Sequence, residues 1–198
     1  MPIKRLSQSG LLTFAKHSSV LAGNAPFSPN SFDLLETTTL ATSASSVTFS
    51  GLAAYAADYK HLQIRMVARS SVVSSNQNVG LTFNGDTGAN YSTHDMEGSG
   101  GGGVGSGGGA SITSIRAAQV VGTTVADTWP SAVIDILNFS SSSKYTTTRT
   151  VNGWAGSMSR VFLRSGSWQN TSAITTLTLT DGGGGFIAGS RFVLIGVK

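Results

Sequence analysis

Cysteine is absent from the chain, which excludes a disulfide framework, thiolate metal ligation and a cysteine nucleophile together. Charge is scarce as well: only 11% of the 198 residues are Asp, Glu, Lys or Arg, against about 25% in an ordinary soluble domain. Ser, Thr, Asn and Gly supply the polarity instead, and such groups cost far less to desolvate than ions. A surface of this kind suits close, permanent contact with other protein copies or with neutral sugars, and it equally fits a plain β-protein with a neutral exterior. It does not suit long-range electrostatic capture. Thirteen basic and nine acidic residues leave a net charge of +4. The basic residues are scattered singly rather than gathered with aromatics, so no direct nucleic-acid interface is expected. No apolar run approaches the ~20 residues of a membrane helix. The run Leu11–Ala15 is cut by Lys16 and His17 before it reaches signal-peptide length. Neither a membrane partner nor a cleaved targeting signal is expected.

What is present reads as an arm followed by strands. Residues 1–32 hold Pro2, Pro26 and Pro29, and they show no sustained period of 2 or 3.6. Their apolar clusters, Leu11, Leu12 and Phe14 with Val20 and Leu21, and the basic pair Lys4 and Arg5, form a candidate partner-binding arm. Packing of the arm back onto its own domain is the competing reading. Residues 33–198 read as one all-β domain, an antiparallel β-sandwich. In Lys60–Arg69, Leu62, Ile64, Met66 and Ala68 fall on one face while Gln63, Arg65 and Arg69 fall on the other, the mark of a half-buried strand. Further strands are expected within 46–52, 78–84, 91–96, 111–121, 132–139, 145–154, 158–163, 174–180 and 191–197. Asn84-Gly85, Asn152-Gly153 and Asp181-Gly182 read as turns, since Asn, Asp and Gly tolerate positive φ. A helical turn or two is expected around Leu52–Asp58. The tract Gly98–Gly109 reads as a flexible Gly-rich loop, either an inert connection or a contact loop.

No residue set carries catalytic chemistry, and no cofactor is expected. His17, His61 and His94 stand far apart, unlike zinc ligands. Asp95 and Glu97 share a strand face and could act as paired carboxylates, but the more ordinary reading is a solvated pair. Asn84, Asp86 and Asn90 loosely resemble a calcium loop without its distal Glu, and a turn closed by its own side chains explains them better. Among the tryptophans, Trp168 lies in the polar stretch Ser165–Thr171, so Trp168, Gln169 and Asn170 are the candidate surface-contact residues. Trp154 ends a strand and reads as core.

Several passages have a familiar wording: Phe32-Asp33-Leu34-Leu35-Glu36-Thr37-Thr38-Thr39-Leu40, then Ser45-Ser46-Val47-Thr48-Phe49 and Tyr59-Lys60-His61-Leu62-Gln63-Ile64-Arg65; Leu81-Thr82-Phe83-Asn84-Gly85-Asp86-Thr87-Gly88-Ala89-Asn90-Tyr91-Ser92; and the ending Ile187-Ala188-Gly189-Ser190-Arg191-Phe192-Val193-Leu194-Ile195-Gly196. Together they resemble a jelly-roll-like β-sandwich domain of structural proteins from tailed bacteriophages. The resemblance spans roughly residues 32–198 and consists of strand and turn text, so it marks a fold and a virion setting rather than an active site. It implies a non-enzymatic virion component assembled in the host cytoplasm, commonly a homotrimer, and partnered by other capsid, connector or tail proteins. A capsid decoration (cement) protein is the preferred expectation. A tail or head fibre that touches host surface glycans is the alternative.

Overall fold

In the computed structural model, residues 31–156 and 158–198 are described. Side chains alternate along most of this length, so each extended segment offers one apolar face that only a second layer can cover. The strands are β1 Phe32–Thr39, β2 Ser46–Phe49, β3 His61–Val67, β4 Gln77–Phe83, β5 Tyr91–Ser99 and β6 Val104–Ile112, then β7 Ile115–Val120, β8 Ser131–Leu137, β9 Thr146–Trp154, β10 Arg160–Trp168, β11 Leu177–Asp181 and β12 Arg191–Val197. They form an eight-stranded sheet ordered β1-β12-β3-β8-β9-β10-β5-β6 and a four-stranded sheet ordered β2-β11-β4-β7. Every pairing in both sheets is antiparallel. The chain is thus an all-β, jelly-roll-like sandwich. One short 3₁₀ turn, Leu52–Tyr55, stands where the alanine cluster suggested helix.

The core lies between the sheets. Leu62, Ile64 and Met66 of β3, Ile134 and Ile136 of β8, and Phe192 and Leu194 of β12 face Phe49, Leu81, Phe83, Leu177 and Leu179 of the smaller sheet. Each buried side chain of this size contributes about 1.5–3 kcal/mol relative to leaving it in water. A second, smaller cluster joins Val121, Val125, Trp154 and Phe162, so Trp154 is core as its position suggested.

Two expectations are corrected. The tract 98–109 is not a loop. Gly98 and Ser99 end β5, residues 100–103 turn, and Val104–Ile112 forms an edge strand registered against β5, with Glu97 opposite Gly105 and Asp95 opposite Gly107. The glycines are there because β5 side chains lie over the β6 backbone. An added Cβ would sit 3.1 Å from Glu97 Cγ at Gly105 and 3.2 Å from Asp95 Oδ2 at Gly107. Asn152-Gly153 is not a turn but the interior of β9. There Asn152 accepts from the Gln119 backbone N–H at 2.7 Å and donates to the Ser131 carbonyl at 2.8 Å. Asn84-Gly85 does turn, both with positive φ, yet it links strands of different sheets rather than closing a hairpin.

Candidate interaction surface

Among the described residues, the outer face of the eight-stranded sheet has no second layer, so its residues should be polar, as is usual for the solvated side of an antiparallel sheet. Two of its rows are not. Register aligns Val133 (β8) with Val151 (β9), Val151 with Leu163 (β10), and Leu163 with Met96 (β5). Val151, Leu163 and Met96 are 58%, 55% and 60% exposed. The next row carries Val67, Val161 and Val104, also exposed, with Gly153 and Gly98 between them leaving a shallow floor. On the other side of the apolar row runs a polar one. In it Gln63 donates to Asp135 at 2.9 Å, and the Arg149 guanidinium stands 3.6 Å from the Asp135 carboxylate across the β8–β9 pair. A contiguous exposed apolar patch with a polar rim is the usual signature of a protein contact surface.

The inner face carries a different feature. Beyond the apolar core, β10 and β5 bring Arg164 (4% exposed) opposite Asp95 (8% exposed). Arg116 of β7 reaches the Asp95 carboxylate at 3.8 Å, and Arg160 pairs with Glu97 at 3.0 Å. The Arg164 guanidinium lies 4.2 Å from the Phe162 ring centroid. Burial pushes its pKa down to about 10, with Asp95 opposing that shift, so it remains charged at neutral pH. Asp95 and Glu97 are therefore not a solvated pair: each faces a guanidinium, and the cluster ties the edge of the small sheet to the large one. His94 points away to the outer face and is exposed.

No protein-family model matches the chain, and no curated protein matches it. Similar solved structures include the Caenorhabditis elegans galectin LEC-6, at 10% identity and TM-score 0.32, covering 85% of this chain and 99% of that one. The carbohydrate-binding module CBM40 of a Ruminococcus gnavus IT-sialidase, bound to α2,3 sialyllactose, aligns at 10% identity and TM-score 0.34 over 82% of this chain and 92% of the module. A structure of NanB with Optactamide aligns at 14% identity and TM-score 0.32, over 82% of this chain but 26% of NanB.

The residues singled out from the sequence fall as follows. Trp168 is not a surface contact. It is 1% exposed, closes β10, stacks on Tyr91 at 6.4 Å, and donates its Nε1–H to Asp86 at 2.7 Å. The physical reason is strand parity: Ser165 and Ser167 point out, so Gly166 and Trp168 point in. Gln169 is exposed and Asn170 half-buried, with its amide oxygen accepting from the Ser172 backbone N–H at 2.8 Å. Asp86 receives Trp168, Asn90 and the Gly88 backbone N–H, and these three bonds, in that order, hold its pKa below the usual carboxylate range. Asn84 accepts from Thr175 and Thr176. The turn is closed by its own side chains, and no group of three or more His, Asp or Glu able to hold a metal ion occurs among the described residues. The arm residues Lys4, Arg5, Leu11, Leu12, Phe14, Val20 and Leu21 lie outside the described residues. Sequence reasoning missed the apolar outer row and buried Arg164.

Proposed function

We propose that this chain is a non-enzymatic structural protein of a tailed-phage particle, attached to the capsid as a decoration subunit that stabilises the shell through subunit contacts. The observation that carries the reading is the exposed row Val133, Val151, Leu163 and Met96. In solution it would hold apolar area in water, and covering it with protein gains about 25 cal/mol per Å². That gain recurs at every copy on a particle. A low-charge exterior favours such area-driven contact over electrostatic capture. The arm, with Leu11, Leu12 and Phe14, supplies the anchor to the particle, and the partners are capsid or connector proteins.

A fibre tip that touches host glycans would have used the Gly98–Gly109 and Trp168 segments. The first is largely an edge strand and the second buries its aromatic ring, which leaves Gln169 and Asn170 as its candidate contacts among the described residues. Copy number decides between them. Quantifying the chain in purified particles should give hundreds of copies, and a few dozen or fewer would overturn the decoration reading. Removing residues 1–24 should leave the far-ultraviolet spectrum of a β-protein intact while abolishing attachment. Attachment that survives the deletion refutes the anchoring role.

A further inference from the structure

The strand order places β8 and β9 as the fourth and fifth of eight strands, with four strands on either side of the line between them. A two-fold axis along that line, lying in the plane of the outer face, would lay the face on its own copy. Each cross-strand row then meets itself in reverse, so β3 faces β10 of the second copy and β12 faces its β5. The register shows what this brings together. In the apolar row Val133 meets Val151 of the second copy, the Arg65 side chain meets its Leu163, and Val193 meets its Met96. In the row on one side, Val67 meets Val161 of the second copy. In the row on the other side, Asp135 meets Arg149 of the second copy and Arg149 meets its Asp135, while bulky Leu34 at one edge meets Gly108 at the other. Apolar groups meet near the axis at Val133 and Val151, opposite charges flank them at Asp135 and Arg149, and the Arg65 stem lies along Leu163 with its charged head free to reach outwards.

We propose that the outer face of the eight-stranded sheet is the interface of a two-fold homodimer, packed sheet on sheet with this axis. This deepens the proposed assembly role, and rests on its premise that the face meets protein. Sheets of the same twist pack face to face with strands inclined at about −30°, which an axis set about 15° from the strands delivers, and the row matches then hold best at the central strands β8 and β9. Isologous contacts of this kind require a self-complementary patch, and the rows supply one. The area is adequate. Six strands at about 4.8 Å spacing and seven residues at about 3.3 Å each span roughly 650 Å² in projection, and side-chain relief raises the accessible area towards the ~800 Å² per partner of a stable interface.

The test uses the full-length chain in sedimentation velocity from 1 to 100 μM (about the range in which a face of this size should associate). A dimer is expected, and Leu163→Lys should make it monomeric with an unchanged far-ultraviolet spectrum. Asp135→Arg and Arg149→Asp should each weaken self-association at least about tenfold by placing like charges opposite one another. An equimolar mixture of these two variants should form a hetero-pair at least about tenfold tighter than either with itself. Only a contact between copies can move that readout, since neither chain regains its internal pair. A monomer at 100 μM, whether bare or with residues 1–30 of its own chain over the face, overturns the proposal. A trimer does the same, as does a mixture that pairs no better than its components. A chain that is monomeric yet still binds particles sinks the dimer and leaves the decoration role standing. A dimer that does not bind particles upholds the dimer and removes that role.

Discussion

Replacing Trp168 with Phe tests whether the Trp168–Asp86 link is a structural tie or an exposed contact. The substitution keeps an aromatic ring against Phe83 and Tyr91, whose centroids lie 5.6 and 6.4 Å from that of Trp168, but it deletes the 2.7 Å bond from Nε1 to Asp86. A hydrogen bond to a charged group contributes about 1.5–3 kcal/mol. Asp86 is half-exposed, so water replaces part of the loss and the lower figure applies. The smaller ring leaves roughly 40 Å³ unfilled, which at about 24 cal/mol per Å³ adds roughly 1 kcal/mol. The sum, about 2.5 kcal/mol, lowers the unfolding midpoint by about 5–10 °C for a domain of this length. The pH dependence separates the two parts. The folded pKa of Asp86 is depressed, so its stabilisation is present above its ordinary value of 3.8 and is lost as pH falls through the folded value. Calorimetry at pH 7 should show the full deficit of Trp168→Phe against the parent chain, and calorimetry at an acid pH well below 3.8 a smaller one. An equal deficit at both pH values refutes the charge-assisted bond. A fully stable variant refutes the tie itself.

Gly166→Ala should destabilise by about 1–3 kcal/mol through overpacking, because its Cβ would stand 2.4 Å from Ile115 Cγ2 and 2.7 Å from Thr148 Oγ1; denaturant titration reads it, and adding Ile115→Ala should give a total smaller than the sum of the single losses. Asp95→Ala should cost about 3 kcal/mol, the low end for breaking a buried charge pair because Glu97 also acts on Arg164, and in denaturant titration a double replacement of Asp95 and Arg164 by Leu and Met should cost less than Asp95→Ala alone. His61 Nδ1 accepts from the Asn138 backbone N–H at 2.9 Å, and burial, foremost, lowers its pKa from 6.5. Stability is therefore full above pH 6.5 and declines as pH drops below it, a slope in the midpoint between pH 7 and 5 that His61→Gln should flatten.

The strands were legible wherever one face was purely apolar, as in Leu62, Ile64 and Met66, all of which are buried. Legibility failed where the alternation had nothing to alternate or was inverted. Gly105, Gly107 and Gly109 carry no side chain to reveal a face, so a strand looked like coil. Asn152 and Gly153 match a turn dipeptide, yet neither takes positive φ, because the buried Asn152 amide bridges β7 and β8 from within the sandwich. In β10 the inward residues are Phe162, Arg164, Gly166 and Trp168, and the outward ones include Val161 and Leu163. With an arginine inside and a leucine outside, hydrophobicity alone assigns the faces wrongly or not at all. For the same reason the candidate surface stayed hidden. An apolar residue in a strand is taken as core until the sheet order shows that no layer covers it.

That inversion bears on how copies of the chain assemble. The resemblance to phage structural proteins implied a trimer, whereas the proposed contact pairs the outer face with itself about an axis through its own centre. A three-fold contact is heterologous: one patch of a subunit meets a different patch of the next. The reversed-row match joins the two halves of a single face, so it is satisfied completely by one neighbour and leaves nothing for a ring. A trimer would have to use other surfaces, and the sheet edges offer them. Among the described residues, β1 and β6 end the large sheet with one side unpaired, and the small or absent side chains along β6 permit close backbone approach. If particles hold trimers, those edges carry the three-fold contact and the apolar face remains free to meet the shell. If the chain dimerises through the face, attachment falls to the arm. The variant mixture of Asp135→Arg with Arg149→Asp separates these two architectures before any particle is imaged.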